Sequence, residues 1–299
     1  MARAKAGTVG IDKQLTLSEL WDSYCKSRSG QLTSTTLELK YIKYYGGLLD
    51  KCPHKYPSEA LKVKHWLLLN RSEDTTKRFL IQLNALMRWA VSRGLASENT
   101  FKDLDKDLRL NNNSQIDPFT VNELSAILDV FHGHYFESFI RFLALTGCRT
   151  SEAVALQWSQ IELGYTHLTF NASYSLDLRQ RKPTKNSDHR RIPCNASLAA
   201  LLANQPRIDH YVFHSTVGTV VNIRTLCAHV WQPRIQKLID AGQVGRYRPV
   251  NNLRHTAITR MLESGLTIPE VAYIVGNTPR MIMQYYSGVS CNLKIPETL

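Results

Sequence analysis

The chain has no continuous apolar run approaching the roughly 18 residues needed to span a bilayer. Its opening stretch, MARAKAGTVGIDKQ, lacks the apolar segment of a secretory signal. A membrane-embedded or exported protein is therefore not expected, and the expected location is cytoplasmic. No lipidation signal or basic amphipathic helix marks attachment to a membrane surface. Six cysteines (Cys25, Cys52, Cys148, Cys194, Cys227, Cys291) lie far apart without a CxxC pair. That spacing argues against a zinc ribbon, a dithiol redox motif or a disulfide framework, and the thiols read as buried or incidental. No Asp/Glu/His cluster has ligand spacing, so no metal cofactor is expected and a metallonuclease is disfavoured. Internal repeats and low-complexity tracts are absent as well.

Acidic residues are in deficit. Against 25 Asp and Glu stand 37 Lys and Arg, a formal charge of +12. Such a surplus points to a polyanionic partner, of which nucleic acid is the commonest. With 43% hydrophobic and 21% charged residues the chain reads as globular, and 299 residues favour two cores over one.

The first core is helical in pattern. Thr16 and Glu19 suit a capping box ahead of Leu17, Leu20, Trp21 and Tyr24, which fall on one helix face. A second helix is predicted from Ser34 to about Leu49, ending near Gly46-Gly47, and a short third from about Ser58 to Leu69. The fourth, SEDTTKRFLIQLNALMRWAVSRG, has an acidic first turn and a stop at Gly94. Phe79, Leu83, Leu86, Met87, Ala90 and Val91 form its apolar face. The polar stretch FKDLDKDLRLNNNSQID has little apolar period and reads as linker, assigned to 104–117. A second domain opens at Pro118, with Thr120 and Glu123 as another capping box. Helices are expected on both sides of HLTFNASYS and RRIPCN, which have strand character. The fold class is mainly α with a small antiparallel sheet (α+β).

Four polar residues stand out in apolar settings in the C-terminal half: Arg149, Lys185, Arg254 and Tyr286. Breaking a DNA strand while conserving bond energy needs a nucleophile that keeps the phosphate as an ester. A phenol can do this, although a pKa near 10 makes it weak at neutral pH. The phosphorane carries extra negative charge, and guanidinium groups offer forked, permanently charged donors to it. A lysine supplies a proton to the departing 5′-oxygen. Taken singly, each residue has an ordinary reading: Arg149 and Glu152 as a surface i,i+3 pair, Lys185 as a solvated loop lysine, Tyr286 as packing.

Taken together, they resemble the tyrosine recombinase (phage integrase) family. The family's "LTGxRxxE" segment, followed by "L-W", is matched by Leu145-Thr146-Gly147-Cys148-Arg149-Thr150-Ser151-Glu152 with Leu156 and Trp158. Its "TK" ahead of "R-IP" is matched by Thr184-Lys185 before Arg191-Ile192-Pro193, and its "HxLRHT" by Asn251-Asn252-Leu253-Arg254-His255-Thr256. The tyrosine nine residues after the last position of "LGH" is matched by Tyr286 after Val275-Gly276-Asn277. The resemblance runs from about Thr120 to Ser290.

It implies a helical, SAM-like core-binding domain at 16–103 and a catalytic domain at 118–290, forming a C-shaped clamp on DNA, with short tails at 1–15 and 291–299. It implies catalysis by Arg149, Lys185, Arg254 and the nucleophile Tyr286, with Asn251 and Asn277 at two further catalytic positions and Glu152 and His255 in support. Candidate DNA contacts are Lys40, Lys43, Arg71, Lys77, Arg78, Arg190 and Arg191. The implied partners are double-stranded DNA recombination sites and, on DNA, three further copies in a tetramer that resolves a Holliday junction. The free protein is expected as a monomer, associated with the nucleoid in a prokaryotic or phage-infected host, and there is room for an accessory directionality factor. No cofactor, metal or ATP is implied. The region before Thr16 is too short for an arm-binding domain, and the residues after Tyr286 suit a tail docking on a neighbour.

Two positions depart from the pattern. The family has histidine where this chain has Asn251, and histidine or tryptophan where it has Asn277. Asparagine forms hydrogen bonds but does not shuttle a proton near neutral pH. A slower positional site, compensation by another base such as His255 or a water, and loss of catalysis all fit this change. Tyr285 is a rival nucleophile, although spacing selects Tyr286. The alternatives are a degenerate recombinase-like DNA-binding protein and a type IB topoisomerase-like relaxing enzyme. A helix-turn-helix regulator explains the charge but not the Arg/Lys/Arg/Tyr set.

Overall fold

The computed structural model describes residues 14–109, 116–183 and 189–286. Both tails, the middle of the linker and the Thr184-Lys185 pair lie outside the described residues. The chain divides into two compact units, residues 1–114 and 115–299.

In the first unit α1 (Leu17–Ser27) begins with the expected capping box. The Thr16 hydroxyl accepts from the Glu19 N–H at 3.2 Å, and the Glu19 carboxylate accepts from the Thr16 N–H at 2.8 Å. Such a cap is worth about 1 kcal/mol. The second helical segment, Thr36–Gly46, is wound with π-type hydrogen bonds and runs directly into α2 (Gly47–Lys51). The Gly46-Gly47 pair therefore does not end the helix. Both glycines hold helical φ/ψ, and the burial of Tyr45, Leu48 and Leu49 around them outweighs their low helix propensity. After a single turn at Pro57–Glu59 come α3 (Ala60–Asn70) and α4 (Glu73–Ser92). Gly94, at φ +69°, follows the end of α4.

The first core is aromatic. The Trp21 ring lies 5.6 Å from Tyr41, and Tyr45 stacks on Phe79 at 4.7 Å. Trp21 Nε1 donates to the Tyr41 carbonyl at 3.0 Å, so the indole is buried without an unpaired donor. The supposed linker shortens here. Phe101 and Leu108 are buried in this core and Leu104 packs against it. Spaced leucines in a polar stretch escaped the helical template because the chain packs there in irregular turns.

The second unit is mainly helical with a small antiparallel β component. α5 (Val121–Val130), α6 (Glu137–Thr146) and α7 (Thr150–Ala155) precede four short strands. β1 (His167–Phe170) pairs with β4 (Arg190–Pro193), and β2 (Ala172–Ser175) pairs with β3 (Gln180–Pro183), both antiparallel. β3 lies in the polar segment between the two stretches of strand character and was not expected, because a ribbon of Gln, Arg and Lys lacks the apolar alternation that marks strands. α8 (Ala196–Ala203) follows. A turn of helix, α9 (Ile223–Thr225), leads through a π-type segment at Leu226–Trp231 into α10 (Gln232–Asp240). The chain closes with α11 (Asn252–Glu263), α12 (Ile268–Val275) and α13 (Pro279–Tyr286). Phe131, Phe139, Phe142, Phe213 and Trp231 fill the main core, and a satellite cluster under α11–α13 holds Ile258, Leu262, Val271, Val275, Ile282 and Tyr286.

Candidate active site

The site grows from three helix ends. Gly147 closes α6 and Gly276 closes α12, both in the left-handed region at φ +61° and +69°. The carbonyls left open there are taken by one side chain. Arg254 Nη1 donates to Gly147 O at 2.7 Å and to Val275 O at 2.6 Å, so α11 is pinned to α6 and α12. Burial, reinforced by the charge of Arg149, lowers the Arg254 guanidinium to about 10, which leaves it cationic at neutral pH.

Arg149 caps α7 and its side chain is half exposed. Its backbone N–H donates to Glu152 Oε2 at 2.8 Å and its Nη1 to Glu152 Oε1 at 3.2 Å. Glu152 is buried and faces a second arginine. Arg190 Nη1 and Nη2 donate to its two oxygens at 3.0 and 2.7 Å, while Nε donates to Ile274 O at 3.0 Å. Burial by itself would raise the Glu152 carboxyl, but Arg190, with help from Arg149, holds it below its ordinary range.

This overturns the expectation of Arg190 as a DNA contact. Its side chain is only 8% exposed, stacked 4.2 Å over the Phe170 ring it faces across the β1–β4 register. The signal was present in the sequence. In Arg190-Arg191-Ile192-Pro193 the strand period sends Arg190 to the same side as buried Ile192 and leaves Arg191 outside. Gly276 belongs to the same device, since a Cβ there would sit 2.6 Å from Arg190 Nη1. Arg191 is exposed and ion-paired with Glu162 at 2.5 Å.

Tyr286 ends α13 with its ring buried, and its hydroxyl lies 2.6 Å from His255 Nδ1. The two rings stack at 6.1 Å and 30°. Burial raises the phenol above its ordinary range, and Arg254 is close enough for its charge to oppose that rise. Burial and then Arg254 lower the imidazole of His255, which keeps it neutral at physiological pH. Tyr285, the rival, packs at the edge of the same satellite cluster. Asn251 is exposed at the start of α11, where its carbonyl accepts the Arg254 N–H at 3.1 Å. Asn277 follows the end of α12, with its Oδ1 accepting the Thr278 N–H at 3.0 Å. Lys185 lies outside the described residues.

A polar brace behind α11 went unread in the sequence. Asp117, assigned to the linker, binds Arg246 at 2.7 Å and, in a short contact, Arg248, which also donates to Glu123 Oε1 at 3.0 Å. Asn252 Nδ2 donates to Asp117 O at 2.7 Å, and Thr256 Oγ1 accepts the Phe119 N–H at 2.9 Å. These bonds fasten the entry of the second unit to the helix that carries Arg254 and His255. Sequence separations above 100 residues hid them.

The other basic candidates lie in the first unit. Lys40 and Arg71 are exposed, Lys43 pairs with Glu38 at 2.8 Å and Arg78 with Asp74 at 2.7 Å. Lys77 is half-buried and donates to the Leu108 carbonyl at 2.5 Å, so it is engaged within its own unit. Among the described residues no group of His, Cys, Asp and Glu is arranged to hold a metal ion, and no helix is long and apolar enough to cross a membrane.

The phage integrase family model matches residues 115–291, more than half of the chain. A tyrosine recombinase XerC-like protein of Caldanaerobacter subterraneus subsp. tengcongensis is 23% identical over 196 residues. That alignment takes in 55% of this chain and 48% of the relative, so the match spans about half the relative's length. Among solved structures, the Tn1549 transposon integrase in complex with a circular intermediate DNA superposes with a TM-score of 0.77 at 17% identity, over 91% of this chain and 95% of that one. A lambda integrase dimer bound to a COC′ core site gives 0.69 at 16% identity, over 95% and 81%. A lambda integrase tetramer bound to a Holliday junction gives 0.65 at 14% identity, over 88% and 78%. At such identities the likeness is one of fold. The match across residues 115–291 makes this chain a member of the phage integrase family, the tyrosine recombinases.

Proposed function

We propose that this protein cuts and rejoins double-stranded DNA at specific sites through a 3′-phosphotyrosine on Tyr286. The observation that carries the reading is the meeting, at the ends of α6, α12 and α13, of a buried guanidinium and a phenol on which its charge acts. Tyr286 Oη attacks the scissile phosphorus, the P–O5′ bond breaks, and the phosphate passes to tyrosine as an ester. The 5′-oxygen leaves with a proton, which the resemblance assigns to Lys185. Arg149 and Arg254 balance the charge that builds on the equatorial oxygens, a role worth about 3–4 kcal/mol for one well-placed donor. The amide N–H groups of Asn277 suit one further phosphate contact. Attack by a second strand's 5′-hydroxyl reverses the chemistry. Paired sites then pass through a Holliday junction in a tetramer, a reading supported by the fold shared with a lambda integrase tetramer bound to one. The guanidinium charges do the electrostatic task without metal or ATP. The surplus of +12 favours phosphate contacts and predicts binding that weakens steeply with salt.

The test uses nicked duplexes built from DNA flanking the encoding gene, which trap a covalent complex when the cut strand diffuses away. Wild-type protein and Tyr285→Phe should form a denaturation-resistant adduct, and Tyr286→Phe should form none. Tight binding without adduct in wild type would replace this reading with a DNA-binding protein that has lost catalysis. Relaxation of supercoiled DNA lacking paired sites would instead favour a topoisomerase-like activity.

A further inference from the structure

The family pattern has a histidine at the position of Asn251, and an exposed asparagine amide accepts no proton at physiological pH. The nucleophile nonetheless has a base in contact. His255 Nδ1 stands 2.6 Å from the Tyr286 hydroxyl, within the range a general base needs, and the phenol is its one hydrogen-bond partner among the described residues. We infer that His255 is a catalytic residue, the base that takes the Tyr286 proton on strand cleavage and returns it on rejoining, a post for which position 251 is unfit in this chain. The inference rests on the tyrosine-nucleophile reading above.

The local architecture favours the transfer. His255 follows Arg254 on α11, so the helix that carries that cation also positions the imidazole. The phenol arrives from α13, whose Ile282 packs with Ile258 and Leu262 of α11 and Val271 of α12. Among the described residues Arg254 is the charged group acting on the pair, and burial first, then its charge, keep the imidazole neutral and so able to accept. With the phenol as donor, Nδ1 is the acceptor and the ring proton sits on Nε2. In cleavage the O–H bond of Tyr286 breaks as the Oη–P bond forms, and Nδ1 gains the proton. The P–O5′ bond breaks, and the 5′-oxygen takes a separate proton from the acid. Rejoining runs the same steps backwards, with imidazolium protonating the departing phenolate. No co-reactant is required.

The experiment measures adduct formation on the nicked duplex across pH for wild type, His255→Asn, Asn251→His and the double variant, with the nitrogen resonances of His255 followed in the DNA-free protein. His255→Asn should slow adduct formation about 100-fold at pH 7. Its rate should then climb about tenfold per pH unit, as hydroxide replaces the lost base, while wild type levels off above the His255 titration. Asn251→His should restore much of the rate in the double variant, which a purely structural role for His255 would not allow. In the free protein His255 should be the Nε2–H tautomer, and Tyr286→Phe should shift that balance. A wild-type adduct with His255→Asn retaining full rate and the wild-type pH profile overturns the assignment alone. Absence of any wild-type adduct overturns the strand-cleavage reading and the base role with it.

Discussion

The two units bury different things. Among the described residues, Thr76 is the one buried polar side chain of the first unit, whose core is otherwise aliphatic and aromatic. Every buried Asp, Glu, Lys or Arg side chain among the described residues lies in the second: Glu123, Glu152, Arg190, Arg248 and Arg254. Apolar burial is nondirectional and holds a fold without specifying ångström positions, whereas a buried guanidinium must be met by particular oxygens at particular distances. Among the described residues the first unit leaves most of its basic groups exposed. The second uses Glu152, two helix-end carbonyls and the Asp117 brace to hold cations still, which is what stabilising charge on a reacting phosphate requires.

The largest expected break in that contrast comes from Glu152→Gln. It leaves Arg190 buried without a counter-charge and should cost about 3–5 kcal/mol. Urea denaturation should show the loss in the second unit's transition and none in the first. A loss below about 1 kcal/mol would mean that the buried pair is dispensable to the fold. The Asp117 brace gives a smaller, pH-gated effect. Hydrogen bonds from Arg248, against the cost of burial and with help from Arg246, depress the Asp117 carboxyl to about 2. A depressed carboxyl stabilises the fold above its unfolded value, near 3.8, and loses that contribution as pH falls toward 2. The term is about 2 kcal/mol. Wild type should therefore lose more stability than Asp117→Asn between pH 4 and 2, and parallel curves would remove the brace from the account. The smallest effect belongs to the first unit. Gly47 has helical φ of −62° and nothing within 4 Å of an added Cβ. Gly47→Ala should stabilise by about 0.5–1 kcal/mol in the same urea titration. Destabilisation would show that the glycine serves packing that the fold does not display.

Elements were readable from sequence where local physics decides them. The capping boxes at Thr16 and Thr120, the periodic face of α4 and the stop at Gly94 depend on neighbours three or four residues away. Misreadings arose where distant partners decide. The glycine pair at 46–47 stays helical because Tyr45, Leu48 and Leu49 bury around it, Phe101 and Leu108 join a core from a polar stretch, and β3 forms because β2 is there to pair with it. The site divides the same way. Arg149, Arg254 and Tyr286 stand out by residue type and spacing, and the strand period turns Arg190 inward, but that it meets Glu152 there appears only once β4 and α7 are packed together.

By itself the sequence determined the chemical cast: a basic chain, two cores, and arginines, lysine and tyrosine in recombinase order. Composition and spacing along a chain carry that information directly. Only the tertiary structure decided which partners lock the basic groups inside, that one guanidinium ties α6 to α12, and that His255 rather than Asn251 touches Tyr286. Those outcomes depend on distances between residues 21 to 131 positions apart. Hydrogen bonds act over about 3 Å of space and are indifferent to separation along the chain.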